Sequence, residues 1–422
     1  MTPQPRSLRL LHFADAHIDI AAHGRHDPET GLPVRVMDFL RSLDVIVETA
    51  IEEQVDLVLF AGDAFRDRRP APTYLREWAR RILRLSAARI PTLLLVGNHD
   101  YTPAVGRAHA LDPFATFQVP YVRVLDRPAL LGPKDLWGLP LQVLALPWIS
   151  RARLALLANQ LTPERLQELL EHNLTPLVEE FIRQAQAAHP DLPLVLTAHA
   201  SVQGASYGAE RLVMMGDDLV LPPALVKRPA FAYVALGHIH KPQDLNANSQ
   251  PPVIYPGSIE RVDFGEAEDQ KAFVIATLTP GAPTRVDWRR LPTRPFIEKR
   301  VQLSQAEEVM EQLLAALGPP ESLKDAVVRL VVTYPRELER LIDDARLYAH
   351  ARQTLEFHLV KRPEHRARAR LPQDETLESL TPEDLLEIYW KAQHRDAEQI
   401  ARLKRLAQEI IQSARDAGKE AA

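Results

Sequence analysis

Five short runs of mainly apolar residues alternate with polar stretches in the first part of the chain. The runs are Leu8–Ala14, Leu57–Ala61, Thr92–Val96, Leu194–Ala198 and Phe231–Leu236. Apolar and β-branched runs of this length, followed by Gly or a polar residue, predict buried strands. Open α/β folds place their active sites at the edge where the carboxyl ends of the strands meet, so we expect the residues after these runs to converge.

The residues at the ends of these runs carry the chemistry. They are carboxylates, imidazoles and one amide: Asp15, His17, Asp63, Asn98, His99, His199, His238 and His240. Such groups are ligands of borderline-hard divalent metals. Asp63 is the natural bridge between two ions, because it follows a strand and a glycine that permits a tight turn. One such segment alone is usually structural, but five in one chain favour a two-metal site for phosphodiester hydrolysis.

The remaining pattern over residues 1–292 predicts a sandwich of two sheets with helices outside. Amphipathic helices are expected at Val36–Glu53, at Thr73–Ala87 and from Thr162 to Ala188. Further strands are expected at Val253–Tyr255, Ala272–Leu278 and Thr284–Leu291. This alternation of strands and helices is typical of an α/β fold with α-β-β-α layers.

The C-terminal third follows a different order. Residues 296–362 predict a small α+β domain with strands at Ile297–Leu303, Val327–Thr333 and Thr354–Val360, and helices at Gln305–Leu317 and Glu337–Ala351. A linker that changes from basic to acidic (363–380) leads to an amphipathic helical tail (381–418). The apolar stripe of the tail lapses over Gln393–Asp396, so the tail is one helix or two. It either packs on its own domain or docks on a partner.

Composition limits the class of protein. A chain of 422 residues is too long for one ordinary core, and the absence of cysteine excludes disulfides and thiolate metal sites. No apolar run reaches the ~18–20 residues of a membrane span, and no signal-peptide core precedes the first strand, so we expect a cytoplasmic protein. The formal net charge of −5 disfavours a protein that coats DNA but does not exclude a nuclease.

Two features next to the expected ligands suggest catalytic roles. His99 adjoins Asn98 but points away from it, toward a substrate, where an imidazole can protonate a leaving oxygen or stabilise the transition state. Arg66, Arg68 and Arg69 form a loop that is either simply solvated or a set of candidate contacts to a DNA backbone.

Other residues of the same types lack this context. We expect His12, His23, His26, His109, His172 and His189 to be ordinary surface or loop residues. Trp78 and Trp148 are expected in the core rather than as platforms for base stacking.

Taken together, these motifs resemble those of the calcineurin-like metallophosphoesterases. The resemblance covers roughly residues 8–260 and rests on Asp15-x-His17, Gly62-Asp63, Gly97-Asn98-His99-Asp100, His199 and Gly237-His238-x-His240. Finer features resemble the SbcD-type nucleases of DNA double-strand-break repair. They are Gly62-Asp63-Ala64-Phe65, Ala198–Gly204, Tyr233–Gln243 and Tyr255-Pro256-Gly257-Ser258-Ile259.

The resemblance implies a set of roles. Seven residues would be metal ligands, with Asp63 bridging: Asp15, His17, Asp63, Asn98, His199, His238 and His240. His99 would be catalytic, and manganese the usual metal. The implied activities are a 3′→5′ exonuclease on double strands and an endonuclease on single strands. Arg66 departs from relatives that carry a histidine there, and Arg cannot donate a proton at neutral pH, so it would clamp a phosphate instead.

The resemblance also implies partners. These are DNA, capped by the small domain, and an SbcC-type coiled-coil ATPase bound by the helical tail. A homodimer is also implied, with contacts near Thr73–Ala87 and Ala104–Phe117. Two other functions remain open from the sequence. One is a phosphomonoesterase or nucleotidase of the same superfamily, since the metal site alone does not choose the substrate. The other is a scaffold without enzymatic activity that holds the ATPase on DNA.

Overall fold

The computed structural model describes residues 6–20, 24–101, 108–148, 163–208, 220–364, 381–392 and 395–420. The chain divides into two compact units. The first contains residues 1–298 with the short segments 324–328 and 354–356, and the second contains residues 299–323, 329–353 and 357–422.

The described part of the first unit contains fourteen strands and five α-helices. The strands are β1 (Leu8–Phe13), β2 (Leu57–Phe60), β3 (Thr92–Leu95), β4 (Val122–Leu125), β5 (Ala129–Leu131), β6 (Gln142–Leu146), β7 (Leu194–His199), β8 (Ser201–Val202), β9 (Val220–Leu221), β10 (Tyr233–Gly237), β11 (Gln243–Asp244), β12 (Val253–Tyr255), β13 (Ala272–Leu278) and β14 (Arg285–Arg290). The helices are α1 (Val34–Glu52), α2 (Pro72–Ala87), α3 (Asp112–Thr116), α4 (Pro163–Ala188) and α5 (Pro223–Val226).

Two six-stranded sheets pack face to face. The first has the order β14-β13-β1-β2-β3-β4, and the second has the order β11-β12-β10-β7-β6-β5. Leu10 and Leu59 of the first sheet share an apolar layer with Val195 and Ala235 of the second. Helices α1 and α2 cover the outer face of the first sheet, and α4 covers the second. The predicted two-sheet α/β architecture with outer helices is therefore confirmed.

The strands that carry the motifs run parallel within each sheet. β1, β2 and β3 are parallel neighbours, as are β7 and β10. Their carboxyl ends therefore lie at one edge of each sheet, and the register pairs Gly237 with His199 there. This arrangement explains how residues more than 200 positions apart in the sequence meet.

His12 is buried, and its prediction as a surface or loop residue is wrong. It lies on β1 with the same parity as Leu8 and Leu10, so its side chain enters the layer between the sheets. There its Nδ1 shares a hydrogen bond of 2.9 Å with the hydroxyl of Tyr233. Burial lowers the pKa of His12 to about 3, so the ring is neutral. His26 and His189 are exposed as expected, and His23 and His172 lie outside the residues whose side chains are described.

The C-terminal part of the chain carries a three-stranded sheet of order β15 (Phe296–Gln302), β16 (Val327–Tyr334) and β17 (Glu356–Pro363). Its α-helices are α6 (Val309–Leu317) and α7 (Asp344–His350). The helix expected at Glu337–Ala351 is instead a 3-10 segment (Arg336–Leu341) followed by α7. The two are separated because Asp343 caps α7, accepting a hydrogen bond of 3.0 Å from the backbone N–H of Arg346.

The tail forms two helices, α8 (Pro382–Ala392) and α9 (Ala397–Glu420). The interruption of the apolar stripe therefore does mark a break between helices. Most of the predicted linker, from residue 365 to 380, lies outside the described residues. Among the helices of the described chain, none has the length and apolar character needed to cross a membrane.

Candidate metal centre

The structure brings together all the residues predicted as ligands. Asp15, His17 and His240 form one buried group (the His240 cluster), and Asp63, His199 and His238 form a second (the His199 cluster). The candidate ligand atoms within each group lie within 4.8 Å of one another. The amide oxygen of Asn98 lies 3.0 Å from Nε2 of His199 and 3.0 Å from Nδ1 of His238.

The backbone near the carboxyl ends of the strands is strained at four of the candidate ligands. Asp15, His17, Asp63 and His238 have φ values of 51°, 38°, 65° and 100°. Positive φ is uncommon for residues other than glycine, and such outliers gather at functional sites. Four candidate ligands in this conformation therefore indicate a site rather than an ordinary set of turns.

Two glycines allow the strand ends to approach each other closely. Gly62 has a φ of +100°, and a Cβ there would lie 2.3 Å from Nδ1 of His199. A Cβ at Gly97 would lie 2.1 Å from Oδ1 of Asp63. Both positions exclude a side chain because candidate ligands occupy that space.

The His240 cluster has donor atoms suited to a cation. Nδ1 of His17 donates to the carbonyl oxygen of Phe65 at 3.3 Å, and Nδ1 of His240 donates to Oε1 of Glu266 at 2.8 Å. With Nδ1 of each ring committed to an acceptor, the two Nε2 atoms face each other at 3.2 Å. At this distance they share either a proton or a metal ion, so the residues fit a metal ion.

The His199 cluster is arranged in the same way. Nδ1 of His199 donates to the carbonyl oxygen of Ala61 at 2.7 Å, which directs Nε2 toward Asp63 Oδ2 at 3.4 Å. Burial opposes a charge on this ring, but the Asp63 carboxylate raises the pKa of His199 to about 9. A metal ion at Nε2 therefore competes with a proton, as metal ions do at most histidine ligands.

The buried carboxylates of Asp15 and Asp63 favour a bound positive charge. Burial raises the pKa of Asp15 to about 7, against the effect of His199 and His240. Burial also opposes ionisation of Asp63, but His199 and His99 hold its pKa well below the usual range. A site that gathers carboxylates, imidazoles and an amide without a thiol suits divalent metals with oxygen and nitrogen ligands.

His99 lies beside the clusters and is held by the neighbouring loop. Its backbone N–H donates to Asp63 Oδ1 at 2.9 Å, and its Nδ1 donates to the carbonyl oxygen of Arg66 at 2.8 Å. Its Nε2 lies 3.5 Å from Nη1 of Arg66. Burial lowers the pKa of His99 and the Arg66 charge adds to this, while Asp63 opposes it. Arg66, Arg68 and Arg69 are all exposed, and Arg68 Nε donates to the carbonyl oxygen of Asn98 at 3.4 Å.

The sequence analysis missed three residues that support the site. Asp100 is buried and accepts hydrogen bonds from the backbone N–H groups of Asp63, Ala64 and Gly97 at 2.8, 2.9 and 3.0 Å. Its place directly after His99 was the available signal. Glu266 and Lys271 are buried behind His240, and no pattern in the sequence marked them.

The expectation for Trp148 is wrong, whereas Trp78 is fully buried as predicted. Trp148 is only half-buried, and its ring packs 5.1 Å from the ring of His238 and 6.2 Å from that of His199. It sits at the site because its backbone N–H donates to the carbonyl oxygen of Val96, at the end of the third apolar run.

Comparisons with known proteins agree with this fold. Residues 8–242 match the model of the calcineurin-like phosphoesterase family, and the chain belongs to that family of metal-dependent phosphoesterases. Among curated proteins, it is 31% identical to the SbcD component of the SbcCD nuclease of Rhodobacter capsulatus over 328 residues, which cover 74% of this chain and 75% of that protein. It is 24% identical to the DNA double-strand break repair protein Mre11 of Archaeoglobus fulgidus, over 80% of this chain and 71% of that protein.

A solved structure, a dimetal phosphatase from Danio rerio, matches with a TM-score of 0.40 at 12% identity and covers 67% of this chain and 96% of that chain.

Proposed function

We propose that this protein is a DNA nuclease that uses two divalent metal ions, with manganese as the metal. The observation that carries the proposal is the pair of buried clusters meeting at Asp63, with His99 beside them. The curated relatives named as nucleases and repair proteins support DNA as the substrate. The expected activities are 3′→5′ exonuclease on double strands and endonuclease on single strands.

In this proposal Asp63 would serve as a ligand of both ions. Its Oδ2 lies 3.6 Å from His17 Nε2 in one cluster and 3.4 Å from His199 Nε2 in the other, so one oxygen is within reach of both. Asp15, His17 and His240 would hold one ion, and His199, His238 and Asn98 the second. When bound, such a pair of ions supplies an activated water and neutralises the phosphate charge.

Protein side chains would supply the proton transfer and the contacts to phosphate. The bond from His99 Nδ1 to Arg66 fixes the ring so that Nε2 holds or moves the proton at the reacting phosphate. The guanidinium of Arg66 lies beside His99 and would bind a phosphate oxygen there. Exposed Arg68 and Arg69 extend the positive rim along the DNA backbone.

The proposal includes two protein partners. We propose that α8 and α9 bind an SbcC-type coiled-coil ATPase. Tyr389, Leu406 and Ile410 are 51%, 48% and 68% exposed, so these two helices present large apolar side chains to solvent, as interaction surfaces do. A homodimer with contacts near Thr73–Ala87 and Ala104–Phe117, a DNA-capping role for the small domain (296–362) and a cytoplasmic location stay predictions of the same proposal.

The decisive test is manganese-dependent cleavage of 5′- and 3′-labelled duplex and single-stranded DNA, with para-nitrophenyl phosphate and nucleotides in parallel. His99→Ala should keep both metals and lose DNA cleavage, because it removes the imidazole but none of the proposed ligands. His26→Ala, at an exposed histidine, is the matched control and should cleave normally.

Each other outcome selects an alternative. Turnover of small phosphoesters alone would assign a phosphomonoesterase or nucleotidase. DNA binding without any cleavage would assign a scaffold. Loss of metal in His99→Ala would make His99 a ligand.

The tail is tested separately by deleting residues 372–422. The shortened protein should still cut short DNA but should no longer capture the ATPase in a pull-down. Unchanged capture would contradict the role given to α8 and α9.

A further inference from the structure

Behind His240 lies a buried ion pair that neither touches a metal-facing atom nor belongs to the apolar core. Glu266 and Lys271 are 1% and 0% exposed, and Lys271 Nζ lies 2.8 Å from Oε2 of Glu266. Removing two charges from water is costly, so a buried ion pair often adds little to the stability of the fold. A functional reason for this pair is therefore worth seeking.

The pair holds His240 from two sides. Oε1 of Glu266 accepts a hydrogen bond of 2.8 Å from Nδ1 of His240. Nζ of Lys271 donates to the backbone carbonyl oxygen of the same histidine at 2.9 Å. The side chain and the main chain of one candidate ligand are therefore both fixed by one ion pair.

The loop that follows β12 completes the support. Ser258 Oγ and the backbone N–H of Val262 donate to Oε2 of Glu266 at 3.2 and 3.0 Å. The backbone N–H of Ser258 also donates to the carbonyl oxygen of His240 at 3.2 Å. A Cβ at Gly257 would lie 2.5 Å from that oxygen, so the Tyr255–Ile259 motif is shaped to pack against His240.

Among these histidines, His240 is supported differently from the others. His199 donates to a backbone carbonyl and His17 does the same, whereas His240 donates to a carboxylate. A carboxylate accepting from a histidine ligand fixes its tautomer and orientation and makes the ring a stronger donor to a metal.

We propose that Glu266, held in place by Lys271, is the positioning residue that fixes His240 as a ligand and thereby sets the affinity of the His240 cluster for its metal ion. The inference rests on the metal site proposed above, but not on nuclease activity. Glu266 acts through His240 and touches neither substrate nor metal.

The test is Glu266→Gln in the full-length protein, with Mn²⁺ as the probe. The amide keeps the shape of the side chain but loses the charge. We expect the affinity for one of the two ions to fall by about 10- to 100-fold and the other to stay within about twofold. Equilibrium dialysis with elemental analysis gives the stoichiometry. Electron paramagnetic resonance should change from the signal of a coupled manganese pair to that of a single ion.

Glu268→Gln is the matched control, because Glu268 is exposed on the same loop and loses the same charge. It should bind both ions like the parent. Since Glu266→Gln strands the buried Lys271 ammonium and can impair folding, Glu266→Gln/Lys271→Met removes both charges. The double variant should fold and show the same selective loss of one ion.

Three outcomes would overturn the inference. They are two ions bound with unchanged affinity in Glu266→Gln and the double variant, loss of both ions together, or equal losses in Glu268→Gln. A parent protein that binds two ions but cleaves no DNA would remove the proposed nuclease function and leave this inference standing. A parent that binds fewer than two ions would overturn the metal site and the inference with it.

Discussion

The two clusters of the candidate site use similar ligands but different support. His199 is oriented by the carbonyl oxygen of Ala61, which directly follows β2 of the other sheet, and an indole packs against its cluster. His240 is oriented by the side chain of Glu266, which a buried lysine holds in turn. The His199 cluster is thus built by the sheet edge itself, whereas the His240 cluster depends on a loop that folds against it.

The same metal-binding motif can therefore depend on two kinds of structure. Backbone support comes with the fold and changes little when one side chain is replaced. Side-chain support can be removed by a single substitution without disturbing the sheets. We therefore expect a substitution that removes one kind of support to weaken the binding of one ion and to leave the other ion bound.

Asp63→Asn should have the largest effect, because Asp63 is the one residue expected to serve both clusters. Loss of its charge should weaken both ions by about 100-fold or more, beyond the effect typical of residues behind the ligands. Elemental analysis after gel filtration measures the occupancy, and circular dichroism checks that the sheets remain folded. Normal occupancy of either cluster would contradict the bridge.

The contrast also explains what the sequence could predict. Asp15, Asp63 and His199 directly follow or end buried strands, and the geometry of a parallel sheet brings such positions together whatever the loops do. The apolar runs and the polar residues after them were therefore enough to predict these positions.

Other features depended on long-range contacts. Glu266 lies 26 positions from His240 on a short 3-10 turn, where no periodic pattern reveals which way a side chain points. His12 was misassigned for the opposite reason, since a polar residue within an apolar strand is buried by the parity of its neighbours. Trp148 lies beyond a strand end, where composition alone does not separate core from site.

Gly97→Ala should have the next largest effect. It should fall mainly on the His199 cluster, because Gly97 contacts Asp63, which serves both clusters, and also precedes Asn98, which is assigned to the His199 cluster alone. The new Cβ would stand 2.1 Å from Asp63 Oδ1, so the carboxylate must move. We expect about 10-fold weaker binding of one manganese ion in equilibrium dialysis, with a smaller effect on the second.

Gly138→Ala is the control for Gly97→Ala. Gly138 has a φ of +85° and nothing within 4 Å of a Cβ. This substitution should cost about 1–2 kcal/mol of stability through backbone strain and leave metal binding unchanged. Equal metal loss in both variants would mean that Gly97 acts through stability rather than through Asp63.

Trp148→Leu should have the smallest effect, because it removes packing and not a ligand. The indole packs against the rings of His238 and His199. We expect a decrease of about three- to fivefold in affinity for the His199-cluster ion, below the range for residues that bond to ligands, and no change for the His240-cluster ion. Trp137→Leu is the matched control, since Trp137 lies in the loop before β6, at the opposite end of the strands from the site. A larger loss at the His240 cluster would reverse the comparison, because the indole would then support the side of the site that Glu266 is expected to hold.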